Sequence, residues 1–531
     1  MITGSAFIGE EERVGGASFQ AWDPAAGEPL DPPFRESGAT DVEDACAFAA
    51  AAAPDFAALP PSQRAAFLEA VGEEILALGD TLILRAMQET ALPRARLESE
   101  RGRTVGQLAY LARVLRDGTL YDATLDSAQP ARVPLPRPDL RRHHLAVGPV
   151  AVFGASNFPL AFSVAGGDTA AAFAAGCPVV VKGHPAHPGT GELVARAIIK
   201  ARRRCALQPG VFAYLPGAQA ALGAALVADA RIQAVGFTGS RTAGVALMKV
   251  AAQRAQPIPV FAEMSSVNPV FLFPGAAHRR GEELAKAYVA SLALGAGQFC
   301  TNPGILIGVG NADFDAFVSF ATTALQAVPA QPMLSAGIAG NYARGLAALR
   351  ARTTVTELGR GAEATAPNRC RAALLAVAAD DLLADAGVRE EVFGAASVIV
   401  RAGTIEDFAR IARQLEGQLT ATLLYDEDDI PAVARLMPEL ERRAGRLLGN
   451  AWPTGVEVAD AMVHGGPYPA TSDGRSSSVG ALAVERFLRP VCYQNLDARL
   501  LPPAVQDANP WRLPRRTDGL WQPAPTTESS P

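Results

Sequence analysis

The pattern of apolar and polar positions divides the chain into a helical N-terminal part and a part where short apolar runs alternate with helices. Residues 1–40 alternate and then break at proline and glycine, as strands joined by turns do. Alanine-rich or amphipathic stretches follow between residues 42 and 118, each beginning near a Thr, Asp or Pro that favours a helix start. We therefore predict strands and turns followed by three helices.

From residue 144 onward, short β-branched runs alternate with segments of helical spacing. The first runs lie at 144–154, 178–182, 211–217, 232–240 and 257–265. After a predicted helix over 281–297, further runs lie at 305–310, 396–402, 419–426 and 445–451. Strand–helix–strand alternation of this kind predicts an α/β fold with mostly parallel sheets covered by helices.

Length and composition indicate a multidomain globular protein. The 531 residues exceed what one hydrophobic core usually serves, and 49% are hydrophobic against 19% charged. A net charge of -6 argues against a nucleic-acid surface. The N-terminus lacks a signal-peptide pattern and no apolar run is long enough to cross a bilayer, so we expect a cytoplasmic protein with no membrane partner.

The cysteines and histidines form no metal or disulfide pattern. The six cysteines include no CxxC pair and the six histidines no HExxH pattern, so we predict free thiols and no metal site. Cys300 lies between Gly297 and Gly304, where glycine permits close approach of a substrate and a backbone N–H can face an oxyanion. Cys300 is therefore a candidate nucleophile, with a buried free cysteine as the equal alternative.

Polar residues follow several predicted strands, at the sheet edge where ligands bind in α/β proteins. Asn157 is a candidate oxyanion donor, or an Asx-turn residue before Pro159. Lys182 is a candidate ligand of a ribose or phosphate, or a solvent-facing lysine. Gly236–Ser240 closes a strand and opens a helix, which suits a phosphate, although many such loops are simply glycine-rich.

The remaining candidate site residues are Glu263 and two polar residues of the predicted helix near 92–118. Glu263 follows an apolar run, so burial should raise the pKa of its carboxyl group and suit it to general-base work; otherwise it is a strand-end acid. Arg103 and Gln107 stand four residues apart and share one helix face, which by itself indicates a solvated polar face.

Taken in order, these motifs resemble the aldehyde dehydrogenase superfamily over roughly residues 15–500. The segments that carry the resemblance are Gly154–Pro159, 178–182, Gly236–Ser240, Glu263, 297–300 and Glu390–Gly394. The resemblance implies two Rossmann-like parallel-sheet α/β domains plus a small β oligomerisation arm, in a homodimer or homotetramer. Gly236–Ser240 is not a GxGxxG pattern, so the fingerprint of an ordinary Rossmann protein is absent.

The resemblance also implies domain boundaries. Residues 1–264 would hold the N-terminal helices and the NAD(P)-binding domain, with 465–484 returning to it, and 265–464 the catalytic domain. Residues 123–146 and 485–500 would form the arm. The Pro-rich tail, 501–531, is expected to be disordered or laid across a surface.

The resemblance assigns roles residue by residue. Cys300 matches the nucleophile, Asn157 and the Cys300 N–H match the oxyanion hole, and Glu263 matches the base that activates water. His464 matches a histidine near the thiol, which either helps ionise Cys300 or packs beside it. The implied cofactor contacts are Lys182, His184, Gly236, Ser240, Glu391 and Phe393, and the implied substrate contacts are Arg103, Gln107 and Phe158.

Departures from the family pattern narrow the range of expected substrates. Residues 263–269 and 450–470 resemble the branch that oxidises α-ketoglutarate semialdehyde to 2-oxoglutarate through a cysteine thioester. An NADP-dependent fatty aldehyde branch is the alternative, and a non-catalytic binding protein of the same fold is a third. Pro185 stands where NAD-preferring relatives carry an acid, so we expect NADP to be preferred and NAD accepted.

Overall fold

The computed structural model describes residues 1–366 and 368–525. The strands of the N-terminal region are β1 (Ala6–Ile8), β2 (Glu11–Arg13), β3 (Ser18–Asp23), β4 (Glu28–Arg35), β5 (Ala123–Asp126), β6 (Leu140–Ala146), β7 (Val150–Phe153), β8 (Val179–Lys182), β9 (Phe212–Leu215), β10 (Ala234–Thr238) and β11 (Val260–Glu263). Its helices are α1 (Ala39–Ala57), α2 (Pro61–Ala77), α3 (Gly79–Thr90), α4 (Arg94–Asp117), α5 (Gly167–Ala175), α6 (Pro188–Arg204), α7 (Ala220–Ala228) and α8 (Arg241–Ala252).

The first large sheet has the strand order β11-β10-β7-β8-β9-β1-β2. Strands β7 to β11 run parallel, and β1 and β2 extend one edge in antiparallel orientation. The alanine-rich helix α5 is buried over its whole length, because its small side chains allow it to lie between the sheet and the N-terminal helices. On that side of the sheet Phe173 of α5 packs on Phe67 of α2 at 5.0 Å.

The central region builds a second large sheet, ordered β15-β17-β18-β13-β12-β19-β20. Its strands are parallel except β15, which is antiparallel at the edge. The strands of the region are β12 (Val270–Leu272), β13 (Ile305–Val309), β14 (Gln331–Pro332), β15 (Thr356–Arg360), β16 (Arg369–Cys370), β17 (Ala373–Ala378), β18 (Ala396–Ala402), β19 (Gln418–Leu424) and β20 (Ala444–Gly449). Its helices are α9 (Pro274–Ala293), α10 (Ala312–Gln326), α11 (Ala336–Arg350), α12 (Ala379–Ala384), α13 (Asp407–Gln414) and α14 (Ile430–Glu441).

A smaller sheet joins distant parts of the chain in the order β21-β6-β5-β22-β23. The C-terminal elements are α15 (Leu482–Glu485), β21 (Leu488–Gln494), β22 (Arg515–Thr517) and β23 (Leu520–Gln522). The predicted tail therefore departs from the disordered alternative up to residue 525: β22 pairs with β5, and Val505 and Leu513 are buried. Apolar side chains spaced among the prolines anchor this segment. Residues 526–531 of the predicted tail lie outside the described residues.

The fold is the predicted α/β class, with two mostly parallel helix-covered sheets and a small β arm. The first sheet takes its strands from residues 6–263 and the second from 270–449. Just after β11, the Met264 N–H donates to the Ala470 carbonyl at 2.8 Å. The domain boundaries stay predictions. Which domain binds a dinucleotide, and whether the arm joins subunits, stay predictions.

None of the helices within the described ranges combines the length and apolar character needed to span a bilayer.

Candidate active site

The loop that carries Cys300 connects α9 to β13, and close packing at Gly297 and hydrogen bonds from Asn268 fix its backbone. Gly297 has a φ of 70°, and a Cβ there would lie 2.3 Å from the Ala395 nitrogen, so only glycine fits. The fully buried Asn268 donates its amide to the carbonyl oxygens of Cys300, at 2.8 Å, and Asn302, at 2.9 Å. These contacts fix the backbone of the loop and leave the Cys300 side chain partly exposed.

Asn268 is a positioning residue that the motifs alone do not reveal. Its Oδ1 accepts hydrogen bonds from the hydroxyls of Ser266 and Thr420, both at 2.9 Å. Gln418 of β19 in turn accepts from the backbone N–H groups of Val267 and Asn268. The sequence signal for this role is an asparagine between Val267 and a proline, shortly after an apolar run. A buried amide at such a place needs hydrogen-bond partners.

Two further titratable side chains lie beside the Cys300 thiol. Nε2 of His464 is 3.5 Å from Sγ of Cys300 and 3.0 Å from Oε1 of Glu263. Oγ of Ser478 donates to the other carboxylate oxygen of Glu263 at 2.7 Å. Glu263 and His464 are both buried, so this cluster is shielded from bulk water.

The environment of Cys300 opposes its ionisation. Burial raises the pKa of the thiol well above its ordinary value, and the neighbouring Glu263 carboxylate raises it further. A thiol in this setting is protonated near neutrality, so a base must take its proton before it can attack a carbonyl carbon. Nε2 of His464, 3.5 Å from Sγ of Cys300, is close enough to accept this proton.

The predicted rise in the pKa of Glu263 is wrong. Burial does raise the pKa, as expected, but the nearby His464 ring and the hydrogen bond from Ser478 outweigh it, and the pKa is lowered. These partners lie in a segment about two hundred residues further along the chain, so the local apolar run could not reveal them. Glu263 is therefore ionised at neutral pH and ready to accept a proton.

Asn157 lies just beyond β7 and faces the nucleophile loop. Its Nδ2 donates to the Gln298 carbonyl at 2.9 Å, which ties the side chain to the segment just before Cys300. An amide carries two N–H groups, so the second stays available to a ligand. The side chain thus reaches the nucleophile loop instead of forming the alternative Asx turn with its own backbone.

The two predicted polar residues of α4 are not on a solvated face. Nη2 of Arg103 donates to the Val456 carbonyl at 3.2 Å, and its guanidinium lies 5.0 Å from the Phe162 ring. Because Phe162 packs on the His464 ring, Arg103 lies one side chain away from the thiol cluster. Gln107 is buried, and among the described residues Oε1 of Gln107 and Nη1 of Arg103 have no hydrogen-bond partner.

Phe158 belongs to an aromatic group beside the same loop. Its ring packs edge-on against Phe162, at 5.2 Å, and Phe299, at 5.6 Å. The Arg96 guanidinium covers it at 4.4 Å. The predicted substrate residues Arg103 and Phe158 thus both pack on the Phe162 ring, which in turn packs on the His464 ring.

Arg446 of β20 is a further cation near the thiol that sequence reasoning missed. Nη1 donates to the Gly455 carbonyl at 2.6 Å and Nη2 to the Pro453 carbonyl at 2.9 Å, while the buried Nε has no partner in the described structure. The loop 453–456 therefore positions both Arg446 and Arg103. The signal in the sequence is an arginine within the predicted strand 445–451.

The predicted cofactor residues occupy two places. Lys182 ends β8, and burial lowers the pKa of its amino group to about 8. Its Nζ has no hydrogen-bond or ion-pair partner among the described residues, which suits a bound hydroxyl or anion. His184 stacks on His187 at 5.1 Å, and burial lowers the pKa of His184 well below its ordinary value.

Glu391 and Phe393 line a small cavity next to the nucleophile loop. The same cavity is lined by Ser266, Gly297, Phe299 and Asn302. Burial raises the pKa of Glu391 to about 8, and no charge of a described residue offsets this effect. An uncompensated carboxyl group and an aromatic ring can hold the hydroxyl-bearing ribose of a nicotinamide cofactor.

The Gly236–Ser240 motif spans the end of β10 and the turn that precedes α8. Gly236 lies inside β10, and a Cβ there would lie 2.9 Å from the Asp168 side chain. Glycine at this position therefore allows close packing of α5 on the sheet. Ser240 does lie at the turn, where its Oγ caps α8 by accepting from the Ala243 N–H at 3.3 Å.

Comparisons with known proteins agree with this geometry. The model of the "Aldehyde dehydrogenase family" matches residues 12–481. The chain is 54% identical to alpha-ketoglutaric semialdehyde dehydrogenase 2 of Azospirillum brasilense, covering 98% of this chain and 99% of the relative. It is 47% identical to alpha-ketoglutaric semialdehyde dehydrogenase of Acinetobacter baylyi, covering 92% of each.

The fold is also that of a solved relative. A mutant of aldehyde dehydrogenase C from Pseudomonas syringae, in complex with NAD+ and octanal, superposes with a TM-score of 0.78 over 92% of this chain and 96% of its own. Its sequence is 19% identical, so this likeness concerns the fold alone. Together with the family match and the two curated relatives, these findings establish that the chain belongs to the aldehyde dehydrogenase family, whose members oxidise aldehydes with NAD(P).

Proposed function

We propose that this protein oxidises α-ketoglutarate semialdehyde to 2-oxoglutarate, with Cys300 as nucleophile and Glu263 as the base that activates water. The observation that carries the proposal is the cluster of Cys300, His464 and Glu263, with Nε2 of His464 within 3.5 Å of the thiol and 3.0 Å of the carboxylate. The names of the two curated relatives support the choice of substrate.

The first half of the reaction belongs to Cys300 and its neighbours. His464 accepts the thiol proton at Nε2, and the thiolate attacks the aldehyde carbon. The free N–H of the Asn157 amide and the Cys300 backbone N–H then stabilise the oxyanion that forms. When bound, the nicotinamide cofactor supplies the hydride acceptor, and loss of that hydride leaves a thioester on Cys300.

The second half belongs to Glu263. Its lowered pKa keeps it ionised, so it can take a proton from a water molecule as the water attacks the thioester carbon. The hydrogen bond from Ser478 holds the carboxylate in one orientation. Hydrolysis breaks the bond between the acyl carbon and Sγ, releases the carboxylic acid and leaves the Cys300 thiolate free for another cycle.

A substrate with a carboxylate fits the cations on the wall of the site. Arg103 and Arg446 are both held by carbonyls of the loop 453–456, and each keeps one buried nitrogen donor that has no partner among the described residues. A guanidinium N–H that is already desolvated and oriented binds a carboxylate or a 2-oxo group at little further cost. We therefore propose that these two arginines and Gln107 contact the 2-oxo acid end of the substrate.

Replacing either arginine by methionine tests the substrate. We expect Arg103→Met and Arg446→Met to lower kcat/KM for α-ketoglutarate semialdehyde by about 10- to 100-fold, since a hydrogen bond to a charged group contributes about 1.5–3 kcal/mol. Oxidation of hexanal and decanal should change little. Arg116→Met on the exposed end of α4 is the control and should leave every substrate unaffected. Equal losses for hexanal and the semialdehyde would contradict carboxylate recognition.

A medium- or long-chain aldehyde is the second candidate substrate. The rings of Phe158, Phe162 and Phe299 offer an apolar wall that an alkyl chain can contact. The same panel of substrates decides between the two: a higher kcat/KM for decanal than for the semialdehyde would favour the fatty aldehyde.

We also propose that NADP is preferred and NAD accepted. Pro185 leaves no carboxylate three residues after Lys182 to repel a 2′-phosphate, and Lys182 provides a donor there. His184 is neutral in this environment, so it can offer a hydrogen bond but no charge. The half-buried position of Lys182 at the end of β8 supports its contact with the adenosine ribose.

Comparing kcat/KM for NADP and NAD tests this proposal. We expect the NADP value to exceed the NAD value in the natural protein. Pro185→Glu should lower the NADP value by at least about 10-fold, because a carboxylate beside a phosphate is repelled, and should spare the NAD value. A strong NAD preference in the natural protein would contradict the proposal.

The assembly and location of the protein are proposals as well. The edges of β21 and β23 are exposed, as are Leu520 and Trp521 on the arm, which supports pairing of the arm with a second copy. We propose a homodimer or homotetramer located in the cytoplasm.

A further inference from the structure

Three potential metal ligands converge at the nucleophile, although no metal pattern was predicted. Sγ of Cys300, Nε2 of His464 and one oxygen of Glu263 all lie within 4.8 Å of one another. Elsewhere in the described ranges, no other group of three or more His, Cys, Asp or Glu ligand atoms comes this close together. The three residues are far apart in the sequence, so no spacing motif could announce the cluster.

The distances suit a zinc ion. Zinc binds sulfur at about 2.3 Å, imidazole nitrogen at about 2.0–2.1 Å and carboxylate oxygen at about 2.0–2.2 Å. With those bond lengths, the observed 3.5 Å between Sγ and Nε2 corresponds to an angle of about 110° at the ion, close to tetrahedral. The 3.0 Å between Nε2 and Oε1 corresponds to an angle of about 90°, which a small rotation of the carboxylate opens.

The surroundings leave the ligand atoms available. Oε1 of Glu263 has no aligned hydrogen-bond donor in the described structure, whereas Oε2 is occupied by the Ser478 hydroxyl. That hydroxyl orients the carboxylate as outer-shell groups orient zinc ligands. The mixture of thiolate, imidazole and one carboxylate favours zinc over magnesium or calcium, which prefer oxygen ligands alone.

We propose that Cys300, His464 and Glu263 form a three-ligand zinc site whose occupancy reversibly blocks aldehyde oxidation. On binding, the S–H bond of Cys300 breaks, a zinc–sulfur bond forms and the proton leaves to solvent, with no change in oxidation state. The fourth position stays open to water, as at other three-ligand sites. The ion occupies the sulfur lone pair, the imidazole nitrogen and the carboxylate together, so a zinc-bound chain cannot turn over. This inhibition rests on the proposed function, whereas binding of the metal does not.

Binding is measured on the full-length protein with Zn²⁺ and with Co²⁺ as a spectroscopic probe. We expect one Zn²⁺ per chain by equilibrium dialysis, and a cobalt–thiolate charge-transfer absorption that Zn²⁺ displaces. His464→Phe keeps the thiol but removes one ligand, and should weaken Zn²⁺ binding by at least about 100-fold, since loss of an outer-shell partner alone costs about 10- to 100-fold. Cys300→Ser should abolish the charge-transfer absorption.

Cys492→Ser is the matched control, because Cys492 is an exposed thiol on the arm. It should leave Zn²⁺ binding and the cobalt spectrum unchanged. Unchanged Zn²⁺ affinity in His464→Phe, or loss of binding in Cys492→Ser, would overturn the proposal. A protein that binds cobalt as described but oxidises none of the aldehydes would retain the metal site and refute the proposed function. An active protein that Zn²⁺ does not inhibit would retain the proposed function and refute the inhibitory zinc site.

Discussion

Cys300→Ala is expected to lower aldehyde oxidation by at least about 10³-fold, or about 4 kcal/mol of transition-state stabilisation. The alanine removes the sulfur that attacks the carbonyl carbon. The neighbouring side chains of His464 and Glu263 are not nucleophiles of comparable reactivity, so they cannot replace it. Since Asn268 holds the loop through the backbone carbonyl of residue 300, the substitution should leave the loop in place. The measurement is NAD(P)H formation at saturating semialdehyde.

Two observations complete this test. Cys492→Ala removes an exposed thiol far along the chain and should retain near-normal turnover. The melting temperature of Cys300→Ala should stay close to that of the natural protein, which separates lost chemistry from lost folding. Near-normal turnover in Cys300→Ala would reject the nucleophile assignment.

Glu263→Gln is expected to divide the reaction into a fast first half and a slow second half. Glutamine keeps the shape of the side chain and an oxygen for the Ser478 hydroxyl, but it cannot take a proton from water. The charge of Glu263 raises the pKa of the Cys300 thiol, so its removal should make the thiol easier to ionise and leave the attack on the aldehyde unhindered. A pre-steady-state burst of NAD(P)H should therefore precede turnover slowed by about 10²–10⁴-fold.

The burst amplitude is the informative quantity. It should approach one NAD(P)H per active site in Glu263→Gln, and quenched enzyme should carry the acyl group on Cys300. Glu283→Gln, on the exposed face of α9, is the control and should behave as the natural protein does. A burst as slow as the steady state would indicate that Glu263 acts before hydride transfer and would contradict its role in hydrolysis.

These experiments also separate an enzyme from a binding protein of the same fold. A chain that had lost catalysis would have no reason to keep a buried, ionised Glu263 beside a thiol, because removing a carboxylate from water is costly. Its retention with Cys300 and Asn157 around one loop therefore favours catalysis.

Much of the fold and the identity of the main candidates could be predicted from the sequence. Alternation of apolar runs with helical segments depends on neighbours in the chain, so it predicted the parallel strands β7, β8, β10, β13 and β19. Cys300, Asn157 and Lys182 stand at the ends of elements or in a glycine-rich loop, where local spacing is informative. The buried Gln107, the cation Arg446 and the anchored segment after residue 500 were not predictable in this way, because each depends on what packs against it.

By itself, the sequence determined which chemical groups are present, their order and the elements that carry them. Only the tertiary structure gave the distances at which His464 and Glu263, separated by 201 positions, meet at Cys300, and only it decided that the pKa of Glu263 falls where its apolar neighbours predicted a rise. The physical reason is that desolvation and Coulomb interaction depend on distances through space, and the fold sets those distances.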